Sequence, residues 1–153
     1  MAWAGEVRAR IGLGLLALVG AERGDSADDV RYIARRIAAM RVFDGPTGGQ
    51  VGVAEVSGAV LVVSQFTLLG EMRRGRRPDF ARAAGRDEAR PLLEALVATL
   101  RAEGLSVETG EFGAAMQVRS VNDGPFTLLL DSRAAGPDNE ARAGPVAKEV
   151  DRT

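Results

Sequence analysis

Histidine and cysteine are both missing from this 153-residue chain. Without cysteine there is no disulfide framework and no thiolate chemistry, which suits a reducing compartment. Without histidine no Ser-His-Asp or Cys-His relay can form, and His/Cys zinc sites are excluded. No other side chain has an unperturbed pKa near neutrality. An enzyme built from this sequence has to use a shifted carboxylate, backbone dipoles or a group carried by its substrate. Charge of one sign is lacking too: the formal net charge is −1. No global positive field draws the chain to nucleic acid, so any RNA contact has to come from a local patch. The apolar run 11–19 is too short and too broken by glycine to span a membrane. It also lacks the charged start and cleavage pattern of a signal peptide, and a cytoplasmic location is the expectation.

What remains is ordinary for a globular protein: 46% hydrophobic and 27% charged residues, enough chain for one domain with a real core. Residues 7–20 read as strands broken at Gly12 or Gly14. Asp25 or Ser26 is the candidate N-cap of a helix, with Asp28 and Asp29 in its favourable first turn. Val30, Ile33, Ala34, Ile37 and Met40 then recur at helical spacing, and 44–49 is a loop rich in breakers. The strongest strand is expected over 59–69, where Val60, Leu61, Val62 and Val63 form a block suited to burial on both faces. A second helix is predicted over 87–103, with Pro91 near its start and Gly104 as its stop. Residues 105–109, 114–121 and 126–131 read as three more strands. The fold class is therefore α/β, a single domain over 1–132, with 133–153 expected as a disordered tail of no periodicity.

Two polar stretches end apolar runs. Ser64-Gln65-Phe66-Thr67 brings three hydrogen-bonding side chains and several backbone N–H groups to one strand end, where they can stabilise a developing oxyanion. The bland alternative is a strand emerging into solvent with Phe66 in the core. Asn122-Asp123-Gly124-Pro125 is, taken alone, a turn between strands, and nothing local makes Gly124–Pro125 a cis pair. Arg73, Arg74, Arg76 and Arg77 form a loop cluster that is either solvated or a phosphate contact. Phe112-Gly113-Ala114-Ala115-Met116 reads most simply as a strand start with core packing. The acidic pairs Asp28/Asp29 and Asp87/Glu88 fit helix dipoles better than a metal, and neither metal nor cofactor is expected.

Taken together, and at this separation, the two stretches resemble the signature motifs of the D-aminoacyl-tRNA deacylase family. The likeness runs from about Gly5 to Ser132 and includes Gly14-Leu15-Leu16, Gly75-Arg76-Arg77-Pro78 and Glu108-Thr109-Gly110. It implies a homodimer of mixed β layers covered by two main helices. It implies hydrolysis of the ester between a D-amino acid and the terminal adenosine of tRNA, with mischarged glycyl-tRNA also a substrate. Ser64, Gln65, Phe66 and Thr67 would be the catalytic residues. Gly124 and Pro125, as a cis pair reaching into the partner's pocket, would exclude L side chains. Asn122, Thr127, Met116 and Phe112 would bind substrate, and the four arginines would touch tRNA. Such an ester is already reactive, so position and an oxyanion site matter more than a strong base. Thr67 is expected to position rather than attack, since no adjacent base is evident.

The opening departs from the family pattern. Met1-Ala2-Trp3-Ala4 stands where a strand carrying Gln-Arg-Val should already have ended. The expectation is either a true start further upstream or a damaged relative with an exposed sheet edge and reduced stability or activity. Two other classes of function stay open: an RNA-binding module without catalysis that uses the arginines, and a structural dimer whose Gly-Pro turn, trans and away from any cleft, merely closes a hairpin.

Overall fold

The computed structural model describes residues 2–3, 6–72 and 75–134. Its centre is a three-stranded parallel sheet built from β3 (Gly14–Val19), β6 (Ala59–Ser64) and β7 (Ser106–Thr109), in the order β3-β6-β7. Two short antiparallel pairs accompany it: β1 (Ala2–Trp3) with β2 (Glu6–Val7), and β4 (Arg41–Asp44) with β5 (Gln50–Gly52). Parallel neighbours need long crossovers, and the two helices supply them. Helix α1 (Ala27–Ala39) lies between β3 and β6, and α2 (Arg86–Ala102) between β6 and β7.

Alternation along β6 explains why its run is unbroken in apolarity. Val60 and Val62 face a core made with Val30, Ala34 and Ile37 of α1 and Leu96, Val97 and Leu100 of α2. Leu61 and Val63 face the other way, onto Ala9, Ile11 and Met116. A strand covered on both sides has no face left to be polar. Gly14 is also fixed by this sheet, because a Cβ there would overlap the Ala59 carbonyl opposite it.

Helix α1 starts where its sequence dictates. The Ser26 hydroxyl accepts from Asp28 N–H at 3.2 Å, and the Asp29 carboxylate accepts from Ser26 N–H at 2.8 Å, a reciprocal cap. Burial works against the charge on Asp29, but hydrogen bonds from the Ser26 backbone, the Ser132 side chain and the Ser26 hydroxyl outweigh it and lower its pKa. Helix α2 begins one residue earlier than expected. Pro91 is its sixth residue, inside the helix rather than in its first turn, and on its exposed face. The bond its N–H would have made to the Asp87 carbonyl is lost there, on the side open to solvent.

Four expectations change. The strand predicted over 59–69 stops at Ser64, and Phe66–Leu69 winds into a 3-10 turn. The stretch after α1 is a hairpin, β4–β5, closed by Gly45 N–H to the Gly49 carbonyl at 2.8 Å; β5 carried too few apolar residues to stand out. Third, 114–121 and 126–131 form no named strand among the described residues. They run instead along a broad cleft of about 2380 Å³, lined also by β3, whose outer edge has no strand beside it among the described residues. A strand is defined by its ladder, and apolarity alone does not supply one. Fourth, contacts with the domain continue past Ser132: Arg133 pairs with Asp25 at 3.0 Å and Glu22 at 3.1 Å and donates to the Arg23 carbonyl at 2.6 Å. The rest of the expected tail, 135–153, lies outside the described residues.

Candidate active site

Parallel strands deliver their carboxyl ends to one edge of the sheet, and that edge is where ligands bind in open α/β folds. Val19 is in register with Ser64, and Val62 with Thr109, so the segments leaving β3, β6 and β7 converge. Gln65 N–H donates to the Val19 carbonyl at 2.7 Å, and Gly110 N–H to the Val62 carbonyl at 3.0 Å. Gly20 makes this closeness feasible. A Cβ on it would stand 2.9 Å from the Gln65 carbonyl oxygen and overlap the Leu69 side chain.

At this edge Ser64, Gln65, Phe66 and Phe112 line one cavity of about 280 Å³, together with Gly20 and Arg86. Two stretches of sequence, 64–66 and Phe112, therefore meet here. Phe66 is not core, however: it is 58% exposed and packs edge-to-face on Phe80, ring centroids 5.1 Å apart. Phe80 also lies over Gly70, where a Cβ would be 2.8 Å from its ring. The turn and the following loop are thus pinned together. Glu71 and Asp79 exchange backbone hydrogen bonds of 2.8 Å, which closes that loop into a finger with Gly75 at φ +79°. Arg76 and Arg77 stand exposed on the finger. Arg73 and Arg74 fall outside the described residues.

The Thr67 hydroxyl accepts a short hydrogen bond from the Gln65 amide. Its partner is an amide that cannot remove a proton, and among the described residues no base is bonded to the Thr67 hydroxyl. Arg86 and Gly20, which the sequence reading passed over, belong to the same cavity. A signal for Gly20 existed: a glycine closing an apolar strand marks close backbone approach.

The second motif is elsewhere in the chain. Asn122, Asp123, Gly124 and Thr127 line the broad cleft together with Met116, not the small cavity. Asn122 organises this corner: its amide donates to the Thr127 hydroxyl at 3.0 Å, and its carbonyl accepts from Phe126 N–H at 3.2 Å. Asn122 and Thr127 thus spend these polar atoms on each other and on the turn. Gly124 has φ +125°, which only glycine adopts without strain. The expectation of a cis Gly124–Pro125 bond is overturned, since no cis peptide bond occurs among the described residues. Residues 122–126 are all exposed, which suits the ordinary trans preference of about 0.5–1 kcal/mol. The hairpin-closing alternative is met only in part: the bond is trans, but a cleft lies beside it.

Among the described residues no group of three or more His, Cys, Asp or Glu could hold a metal ion, and no helix is long and apolar enough to cross a membrane.

A two-helix α/β domain with a small, largely apolar cavity at the carboxyl edge of a parallel sheet defines a class of ligand-binding folds. Comparison narrows it. The chain belongs to the family described as D-Tyr-tRNA(Tyr) deacylase, which matches residues 1–131. It is 55% identical over 130 residues to the D-aminoacyl-tRNA deacylase of Anaeromyxobacter dehalogenans (strain 2CP-C), covering 84% of this chain and 87% of that one. Over 124 residues it is 54% identical to the D-aminoacyl-tRNA deacylase of Heliobacterium modesticaldum (strain ATCC 51547 / Ice1), covering 80% and 83%. Among solved structures, the c-Myc DNA Unwinding Element Binding Protein superposes with a TM-score of 0.77 at 33% identity, over 84% of this chain and 88% of that one. A probable eukaryotic D-amino acid tRNA deacylase superposes at 0.57 and 16% identity, over 69% and 77%, a likeness of fold alone.

Proposed function

We infer that this protein hydrolyses the ester bond of D-aminoacyl-tRNA, releasing the D-amino acid and free tRNA. The observation that carries the reading is the family match over 1–131, with Ser64, Gln65 and Phe66 of the first motif around one cavity at the sheet's carboxyl edge. Water attacks the ester carbonyl, the carbon–oxygen bond to the ribose breaks, and the ribose oxygen leaves with a proton. The first N–H groups of a helical turn have no internal acceptor, so those of Phe66 and Thr67 are suited to the oxyanion. Gln65 holds the Thr67 hydroxyl in place beside them. A neighbouring ribose hydroxyl on the substrate supplies the proton relay that a chain without histidine lacks.

Chirality is assigned to the Gly124–Pro125 corner brought in by a second subunit. Two features support a homodimer. The corner is exposed and does not line the cavity of its own chain, and the flanking Val121 and Leu129 are 95% and 84% exposed. Main-chain atoms placed against the substrate's α-carbon leave no room for an L side chain, while glycine, having none, passes. Arg76 and Arg77 on the finger rooted at Phe80 contact the acceptor stem, and the reaction takes place in the cytoplasm, where tRNA is charged.

The test is timed release of amino acid from matched D- and L-tyrosyl-tRNA. Release from the D ester only is expected, and Thr67→Ala should slow it modestly without abolishing it. Equal cleavage of both esters, or a trapped covalent Thr67 ester, would overturn the chirality and positioning roles respectively. Binding that falls steeply with salt while ester lifetimes stay unchanged would leave an RNA-binding module instead.

A further inference from the structure

Arg86 is placed where helix stability does not want it. It is the first residue of α2, at the positive end of the helix dipole, where Asp87 and Glu88 are favourable and a cation is not. No carboxylate pairs with it among the described residues; Glu88 instead accepts from Gly24 N–H at 2.7 Å. The side chain folds back over the cavity instead. Its guanidinium stands 6.0 Å from the centroid of the Phe112 ring and donates a long bond of 3.5 Å to the Phe112 carbonyl. Gly113, at φ +76°, leaves space for it: a Cβ there would be 3.0 Å from an Arg86 nitrogen. A planar cation laid on an aromatic ring keeps its outer N–H groups free to meet an anion.

We propose that Arg86 is a phosphate-binding residue of the active site. It engages the phosphodiester on the 5′ side of the terminal nucleoside whose aminoacyl ester enters the cavity beside Ser64, Gln65 and Phe66. The proposal rests on the deacylase reading and deepens it. A substrate whose ester carbon reaches the turn at Phe66 carries its nearest phosphate one ribose away, at the rim. Among the described residues that line the cavity, Arg86 is the charged one, and it lies there with Phe112. Arginine fits because its fork meets two phosphate oxygens at once. Phe112 then serves two ends: it walls the cavity and carries the guanidinium over its ring.

Two esters of one amino acid separate this role from a structural one: D-tyrosyl-tRNA, and D-tyrosyl-adenosine, which has no phosphate. Arg86→Ala is expected to lower the ratio of kcat/KM for tRNA to that for the nucleoside ester about tenfold, through KM rather than kcat. The slope of log affinity against log salt for tRNA should fall by about one. Arg86→Lys should recover part of the loss. An equal fall on both esters makes Arg86 a brace for Phe112 and overturns the proposal. So does an unchanged KM and salt slope in a variant that still cleaves both. A wild-type protein that cleaves neither ester removes the deacylase reading itself, and this role with it.

Discussion

Leu100 of α2 has no exposed surface, whereas Leu129, with the same side chain, is 84% exposed. Leu100 belongs to a core in which two helices lie over three parallel strands, each strand held by backbone bonds to a neighbour in the same chain. Leu129 belongs to a stretch, 114–133, anchored by Met116, by Leu130 against the main core and by Arg133, but lacking a named strand among the described residues. The contrast teaches that apolarity alone does not bury a residue. Burial follows the ladder that holds the backbone, and the second stretch has its apolar surface available for another subunit. The division also runs through the chemistry: the cavity with Ser64–Phe66 belongs to the first region and the Gly124–Pro125 corner to the second.

The comparison breaks most readily at Leu100. Leu100→Ala removes a fully buried side chain from between α1, α2 and β6, and is expected to cost about 2–5 kcal/mol of unfolding free energy. Urea titration of the purified variant measures it. A loss under about 1 kcal/mol would mean that this region packs no better than the other.

A smaller effect is expected where the two regions are tied together. Glu22 accepts two bonds from Arg82, at 3.0 and 2.9 Å, and Arg133 reaches the same carboxylate. Arg82 also bonds Glu71 at 3.0 Å, and these contacts keep its guanidinium pKa raised. The Arg82 hydrogen bond holds the Glu22 carboxyl below its ordinary value of 4.5; partial burial opposes this and the Arg133 charge assists. A carboxylate with a depressed folded pKa stabilises the fold above its unfolded pKa, and that contribution disappears as pH falls through the folded value. Glu22→Gln should therefore melt below the wild type near neutral pH, and the gap should close as the pH is taken below about 4.5. A gap independent of pH would assign the loss to packing.

How much of this was legible in the sequence follows the same division. Both helices could be read within a residue or two, because capping by Ser26 and the spacing of Val30, Ala34 and Ile37 are local signals. The blocked run at Val60–Val63 gave the central strand for the same reason. Its end was misplaced because Phe66, Leu68 and Leu69 are apolar, and only the tight approach at Gly20 turns them into a 3-10 turn. Ser64, Gln65 and Phe66 were found as a motif, but their meeting with Phe112 depends on parallel register, which no local pattern encodes. Arg86 was invisible because its partner is a ring 26 residues away. The strands expected at 114–121 and 126–131 were read from apolarity, a signal that reports what a segment can bury and not where its partner lies.

That last point yields the smallest effect on stability and the sharpest test of the contrast. Leu129→Ser replaces an apolar side chain that is already in water, so in dilute solution its unfolding free energy should move by no more than about 0.5 kcal/mol. If the exposed face around Val121 and Leu129 is where a second subunit packs, the same variant should shift sedimentation velocity toward the monomer. D-tyrosyl-tRNA cleavage should then fall with it, because the Gly124–Pro125 corner is no longer delivered to the neighbouring cavity. Raising protein concentration should restore part of that activity, which a defect confined to one subunit would not permit. An unchanged oligomeric state with full activity would place the corner's action within one chain. A stability loss as large as that of Leu100→Ala would instead show that 114–133 is packed as core, and the distinction between the two regions would fall.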